Sequence, residues 1–127
     1  MKISPHLFIY RFPIGAISSI TNRVTGLYLT GIFLGTGIYQ YCPIDYEEKW
    51  KKIGKPYQSI LIYSILFSSC YHTLGGIRHF IWDKKPSLIT TKITTRSSYL
   101  LFGTSIGLSY FLEKMINNKS KYLKKKE

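Results

Sequence analysis

Three stretches without a single charged residue decide what this chain can fold into: residues 24–44, 56–77 and 97–112. Crossing the hydrocarbon of a bilayer takes roughly 20 helical residues at about 1.5 Å each. The first two stretches meet that length. The third meets it only if Arg96 and Lys114 run their aliphatic stems outward and leave their cations at the interfaces. A surface helix of a water-soluble protein would carry charges along one face at every turn, and these stretches do not. The expected fold is therefore all-α, an integral membrane protein with three transmembrane helices. One domain covers residues 1–127, with spans at about 14–41, 57–82 and 96–114 and a basic tail over 115–127.

The charge balance fits that layout. The chain has 18 Lys and Arg against 6 Asp and Glu, a formal net charge of +12. The lysines gather between and after the uncharged stretches, at 49–55, 84–92 and 119–126. Cations flanking spans meet membrane lipid headgroups or partner subunits, so nucleic acid is excluded as a partner. Cys42 and Cys70 have no metal-ligand spacing and imply no disulfide framework; they read as apolar thiols. Residues 1–6 lack both the short apolar region of a cleavable leader and an Arg-rich amphipathic pattern. Insertion through an internal signal, synthesis in the compartment of insertion, and prior trimming all stay open.

Residues 3–13, broken by Pro5 and Pro13 and carrying His6 and Arg11, suit a segment at the interface or against a partner, leading into the first helix. That helix is unusually polar over residues 15–25 and then lipid-like, with Gly31 and Gly35 spaced for helix contact. A charged loop covers 43–55. Pro56 opens the second helix where proline is tolerated. A short loop at 84–87 precedes the third helix, where Gly103 and Gly107 repeat the small-residue spacing.

The polar residues inside this framework are the candidates for chemistry. His72 lies within the second stretch, and an ionisable residue at membrane depth is a functional hypothesis by default. A neutral imidazole there can ligate haem iron or simply hydrogen-bond a neighbouring helix. His79 follows seven residues later on nearly the same face, about 10 Å along the axis. The two rings cannot share one iron, and His79 fits a propionate contact or the interface. Gly75 and Gly76, three and four residues past His72, leave room for a flat group or for tight helix packing. On the first helix Ser19 and Arg23 share a face. A hydroxyl beside a fixed cation suits an oxygen gaining negative charge, such as a quinone carbonyl; Arg23 reaching for headgroups is the competing reading. Arg78, Asp83 and Lys84 read as a surface charge cluster at the helix end. No nucleophile–base pair, phosphate loop or carboxylate pair occurs, so any redox chemistry belongs to a cofactor.

Three segments taken together resemble a known family. They are residues 4–10, Ser4-Pro5-His6-Leu7-Phe8-Ile9-Tyr10; residues 18–26, Ser18-Ser19-Ile20-Thr21-Asn22-Arg23-Val24-Thr25-Gly26; and residues 72–83, His72-Thr73-Leu74-Gly75-Gly76-Ile77-Arg78-His79-Phe80-Ile81-Trp82-Asp83. Their order and spacing over roughly residues 4–112 are similar to the large cytochrome b membrane-anchor subunits of succinate dehydrogenase, respiratory complex II. The resemblance implies a chain that is not an enzyme alone. It would help bind haem b and ubiquinone and pass electrons from the iron–sulfur subunit to quinone. His72 would be an axial haem b ligand, with the opposite ligand on the small membrane-anchor subunit. Ser19 and Arg23 would line the quinone site, and Arg23 and His79 would face the propionates. The flavoprotein and iron–sulfur subunits would be partners, and the location the mitochondrial inner membrane or, alternatively, a bacterial inner membrane. The amino terminus would face the matrix or cytoplasm, although counting basic residues favours the reverse orientation. The chain departs from the family at Asn22, where a histidine usually precedes the arginine; asparagine does not titrate near neutral pH. Two rivals stay open: a haem-free structural subunit of a respiratory complex, and the anchor of a quinol:fumarate reductase.

Overall fold

The computed structural model of the chain describes residues 12–41 and 46–124, with side chains over 12–41 and 49–119. The expected interfacial segment up to Arg11, the thiol of Cys42 and the end of the basic tail lie outside these residues. Helix α1 spans Ile14–Gln40, α2 Tyr46–Lys52, α3 Lys55–Lys84 and α4 Thr91–Lys124, with a 3-10 turn at Pro86–Leu88 between α3 and α4. No strand occurs among the described residues.

Local chemistry sets the ends. Pro13, extended at φ −66° and ψ 146°, caps α1, and its carbonyl accepts from Ala16 N at 2.9 Å. Pro56 sits in the first turn of α3, where a missing N–H costs nothing. That helix stops at Lys84 because Pro86 disfavours helical backbone in the residue before it; Lys85 adopts φ −136° and ψ 79°. The loop expected at 43–55 contains the short helix α2. Helix α4 begins at Thr91 and continues to Lys124, well past the apolar stretch. No Pro or Gly interrupts it after Gly107, and Asn117 Nδ2 donates to Glu113 Oε1 at 3.1 Å one turn away.

Helix α3 packs against both α1 and α4, which also touch each other. The packing is inverted relative to a water-soluble bundle. Tyr71 and Leu101 are the buried hydrophobic residues among those described, whereas Ser18, Thr25, Ser68, Ser98, Ser105, Ser109 and Arg78 are all buried. Leu27, Phe33, Ile38, Ile60 and Leu100 project outward, each about two thirds exposed or more. In hydrocarbon there is no hydrophobic gain from hiding apolar surface, so helices meet through small residues and hydrogen bonds. Among the described residues, α3 is the helix long and apolar enough by itself to cross a membrane, and only 17% of its most apolar stretch is buried within the chain. A core helix of a soluble protein would be mostly buried. The threonines, tyrosines and glycines of α1, and the charged ends of α4, lower their mean hydropathy.

One side chain ties the three long helices together. Arg78, 9% exposed, donates from Nη2 to Ser18 Oγ on α1 at 2.9 Å and from Nη1 to Ser98 Oγ on α4 at 3.1 Å. Its guanidinium lies 4.7 Å from the centre of the Trp82 ring. Tyr71 OH, seven residues earlier on α3, also donates to Ser18 Oγ, at 2.9 Å, and its ring packs against Phe102 at 4.9 Å between centroids. Arg78 is thus an interior hub and not part of the surface charge cluster expected from the sequence. A helix that continues past the apolar stretch carries it back into the bundle.

The small-residue contacts also differ from expectation. Among the described residues, nothing beyond its own helix backbone lies within 4 Å of a side chain added at Gly31, Gly35, Gly103 or Gly107. On α4 the seam is made by Ser98, Leu101, Ser105 and Ser109, three or four residues apart. Serine is as useful as glycine here because it is small and can return its proton to its own helix, as Ser98 Oγ does to Thr94 O at 2.8 Å.

Because Ser18 Oγ accepts from both Arg78 and Tyr71, Ser18→Ala strips Arg78 Nη2 of its partner and leaves Tyr71 OH with only the longer bond to the Ser18 carbonyl, at 3.2 Å. It should lower the thermal stability of the assembled protein by about 1–3 kcal/mol, more than Ser98→Ala, which strips Arg78 Nη1 alone. Melting of the detergent-solubilised complex, followed by tryptophan fluorescence, checks the order.

Candidate functional site

The face of α3 opposite Ile77 and Ile81 carries His72, Gly76, His79 and Asp83, three, four or seven residues apart. All four are exposed on the surface of the chain. His72 leans on α1. Its Nδ1 lies 2.9 Å from the carbonyl oxygen of Asn22. A carbonyl only accepts, so this contact puts the ring proton on Nδ1 and leaves Nε2 as a bare lone pair. Metal-ligating histidines are oriented in just this fashion.

Two glycines make the contact possible. A side chain at Gly26 would stand 2.7 Å from His72 Cε1 and 3.1 Å from Nδ1, so α1 must lack a Cβ where the imidazole crosses it. One at Gly75 would collide with Asn22 Oδ1. Gly26 receives the side chain of α3 and Gly75 receives that of α1, which locks the register of the two helices. Gly76 behaves differently: among the described residues, nothing beyond its own helix backbone lies within 4 Å of a Cβ there. It keeps open space one turn from His72, where a flat group can approach.

Ser19, Arg23 and Gly26 fall at i, i+4 and i+7 on α1, a single stripe. Since His72 packs on Gly26 and touches the Asn22 carbonyl, the stripe runs beside the imidazole. Ser19 is half-buried and Arg23 exposed. His79 is exposed, with its ring edge-on to Trp82 at 5.6 Å between centroids, and stands two turns from His72. The four residues singled out in the sequence thus border one side of the α1–α3 pair. Asn22 Oδ1 is buried there with no hydrogen-bond partner among the described residues. Among the described residues, no group of three or more His, Cys, Asp or Glu could hold a metal ion, so His72 offers a single ligand.

Sequence reasoning missed Asn22 as the partner of His72, because the group involved is its backbone carbonyl, to which the side-chain pattern gives no clue. It also missed Gly26. The spacing of Gly26 from Asn22, one turn on the same face, was the available signal.

A helical bundle with a polar interior and an apolar exterior has the packing of a membrane subunit. The chain belongs to the succinate dehydrogenase/fumarate reductase transmembrane subunit family, whose model matches residues 1–112. It is 34% identical over 85 residues to the mitochondrial succinate dehydrogenase cytochrome b560 subunit of Dictyostelium discoideum, covering 64% of this chain and 44% of that one. Against the mitochondrial cytochrome b560 subunit of Sus scrofa it is 31% identical over 116 residues, 84% of this chain and 69% of the relative. Against the succinate dehydrogenase cytochrome b556 subunit of Paracoccus denitrificans it is 32% identical over 109 residues, 82% and 83%. The aligned part of this chain therefore spans less than half of the first relative and most of the other two.

Gly26→Ala should push the imidazole off the Asn22 carbonyl and part α1 from α3, whereas Gly76→Ala should leave the isolated chain unchanged. Cysteine crosslinking between α1 and α3, compared in the two backgrounds, reads the difference: crosslinking should fall several-fold in the first only.

Proposed function

We propose that this chain is a membrane anchor of succinate dehydrogenase that crosses the inner membrane with α1, α3 and α4, would help hold haem b through His72 and lines the site where quinone is reduced. The observation that carries the reading is His72, an exposed imidazole whose Nδ1 is engaged by a backbone carbonyl. Nε2 is free, and Gly76 leaves space beside it. These residues fit haem. His72 would hold the iron through Nε2, with Arg23 and His79 near the propionates. When bound, haem b supplies a one-electron redox centre. The second axial ligand would come from the small membrane-anchor subunit, since His79 lies about 10 Å along the helix from His72.

Quinone is the substrate. Ser19 and Arg23 would hold one carbonyl oxygen at the end of α1 facing the iron–sulfur subunit, which draws its electrons from the flavoprotein. Two electrons and two protons convert quinone to quinol, and the negative charge passing through the carbonyl oxygen is where a fixed guanidinium is worth most. Arg23 supplies the charge, and Ser19 supplies a short hydrogen-bond donor that positions the oxygen. Relatives from mitochondria and from bacteria support an inner-membrane location of either kind, mitochondrial on this reading. The family description also includes fumarate reductase, and turnover assayed with succinate and with fumarate separates the two directions.

In the purified complex, His72→Ala should abolish the normal b-type spectrum, and His79→Ala should leave a low-spin haem largely intact. A spectrum indifferent to His72 but lost with His79 refutes the ligand assignment.

Arg23→Leu should lower quinone reduction by about 30- to 1,000-fold, the effect of losing about 2–4 kcal/mol of transition-state stabilisation. Succinate oxidation by an artificial acceptor that takes electrons upstream should survive, and Ser19→Ala should act in the same direction more weakly. Near-normal quinone turnover in both assembled variants would return Arg23 to the role of headgroup anchor.

A further inference from the structure

On the side of α3 turned away from His72, a groove of about 350 Å³ runs between α3 and α4. Leu74, Ile77 and Ile81 of α3 and Leu100, Leu101 and Ile93 of α4 form its walls. Arg78 also borders it, but the guanidinium is committed to Ser18 and Ser98 and covered by the Trp82 ring. The long walls are therefore apolar. From Ile93 to Thr104 the groove follows α4 for eleven residues, about 16 Å, close to half of a hydrocarbon core about 30 Å thick.

The charge is all at one end. Lys85 comes one turn after Ile81, and Lys92 and Arg96 stand at i−8 and i−4 from Leu100 on one stripe of α4. All three are exposed. The nearby carboxylate, Asp83, lies on the opposite face of α3 with His72 and His79. Trp82 sits in the groove at the level of these cations, where membrane aromatics collect. An apolar channel one leaflet long, with cations only at its mouth, is complementary to an anionic amphiphile.

We propose that the α3–α4 groove is a binding site for an anionic phospholipid, with one acyl chain along Leu74, Ile77 and Leu101 and the phosphate among Lys85, Lys92 and Arg96. The site rests on the reading of α3 and α4 as membrane spans and is independent of haem and quinone. A quinone tail would fill the same walls but gives the cations nothing to bind. A partner helix would also fit the walls and would exclude lipid altogether.

The test uses the purified, delipidated complex titrated with dioleoylphosphatidylglycerol or dioleoylphosphatidylcholine, which share their tails, and read by native mass spectrometry. Wild type should retain phosphatidylglycerol preferentially. The Lys92→Gln/Arg96→Gln pair should bind it about 25-fold more weakly, since each cation near an anionic headgroup contributes about a five-fold preference, and should bind phosphatidylcholine as wild type does. Ser97→Phe, which fills the groove, should remove the same bound lipid. Equal retention of the two lipids by wild type, or retention of phosphatidylglycerol unchanged in both variants, overturns the proposal. So does a wild type that binds no lipid while Ser97→Phe sheds a subunit, because a protein then occupies the groove. The haem spectrum recorded in parallel separates the two readings: its absence from wild type refutes haem binding and leaves the lipid result standing.

Discussion

A guanidinium buried among hydroxyl groups is the interaction on which this bundle depends. Arg78 reaches α1 through Ser18 and α4 through Ser98, and Tyr71 shares the Ser18 oxygen. In water such a network would add little, because solvent competes for every donor. In hydrocarbon the alternative is an arginine with no partner, which is far costlier. The hub therefore specifies which faces of three helices meet even if its net stabilisation is modest. The choice of serine follows from the same constraint: it is small enough for close approach and offers an acceptor where Arg78 arrives.

With its inner stripe spent on packing, α3 is left with two outward faces of different character. One carries His72, Gly76, His79 and Asp83; the other carries Leu74, Ile77 and Ile81. The first is polar, and on the proposed function it is the face that meets a cofactor or another subunit. The second is apolar with cations only at its end and suits lipid. Asn22 and Gly26 press on the flank of the polar face, so the orientation of His72 is set by the same α1–α3 register that Gly75 enforces. Site and scaffold are coupled through those few contacts.

Much of this was legible in the sequence because hydrocarbon is a demanding solvent. Long uncharged runs favour long helices, and those found over Ile14–Gln40 and Lys55–Lys84 hold most of the first two runs, the second being apolar enough by itself to cross a membrane. His72 stood out for the same reason, as a polar residue in an uncharged run, and the structure sets its Nδ1 2.9 Å from the Asn22 carbonyl. The errors share a cause too. Arg78 was read as a surface charge because charge was taken to mark the end of a span, whereas two serines on other helices make its burial tolerable. Such long-range complementarity leaves no local trace. Gly31, Gly35, Gly103 and Gly107 have the spacing of helix contacts, but spacing does not say with whom. Helix α4 runs past the expected span into the basic tail because hydropathy reports where hydrocarbon stops, not where a helix does.

The partner of His72 on α1 is a main-chain oxygen, and this has a consequence for how the site can drift over generations. A side-chain acceptor could be lost by one nucleotide change; a peptide carbonyl is present whatever amino acid occupies position 22. Asparagine can stand there in place of the family's usual histidine without altering the group that orients the imidazole. The positions with no such freedom are the two bare ones, Gly26 and Gly75, where any added carbon meets a neighbour. Selection for an oriented imidazole therefore falls on residues that have no functional group at all.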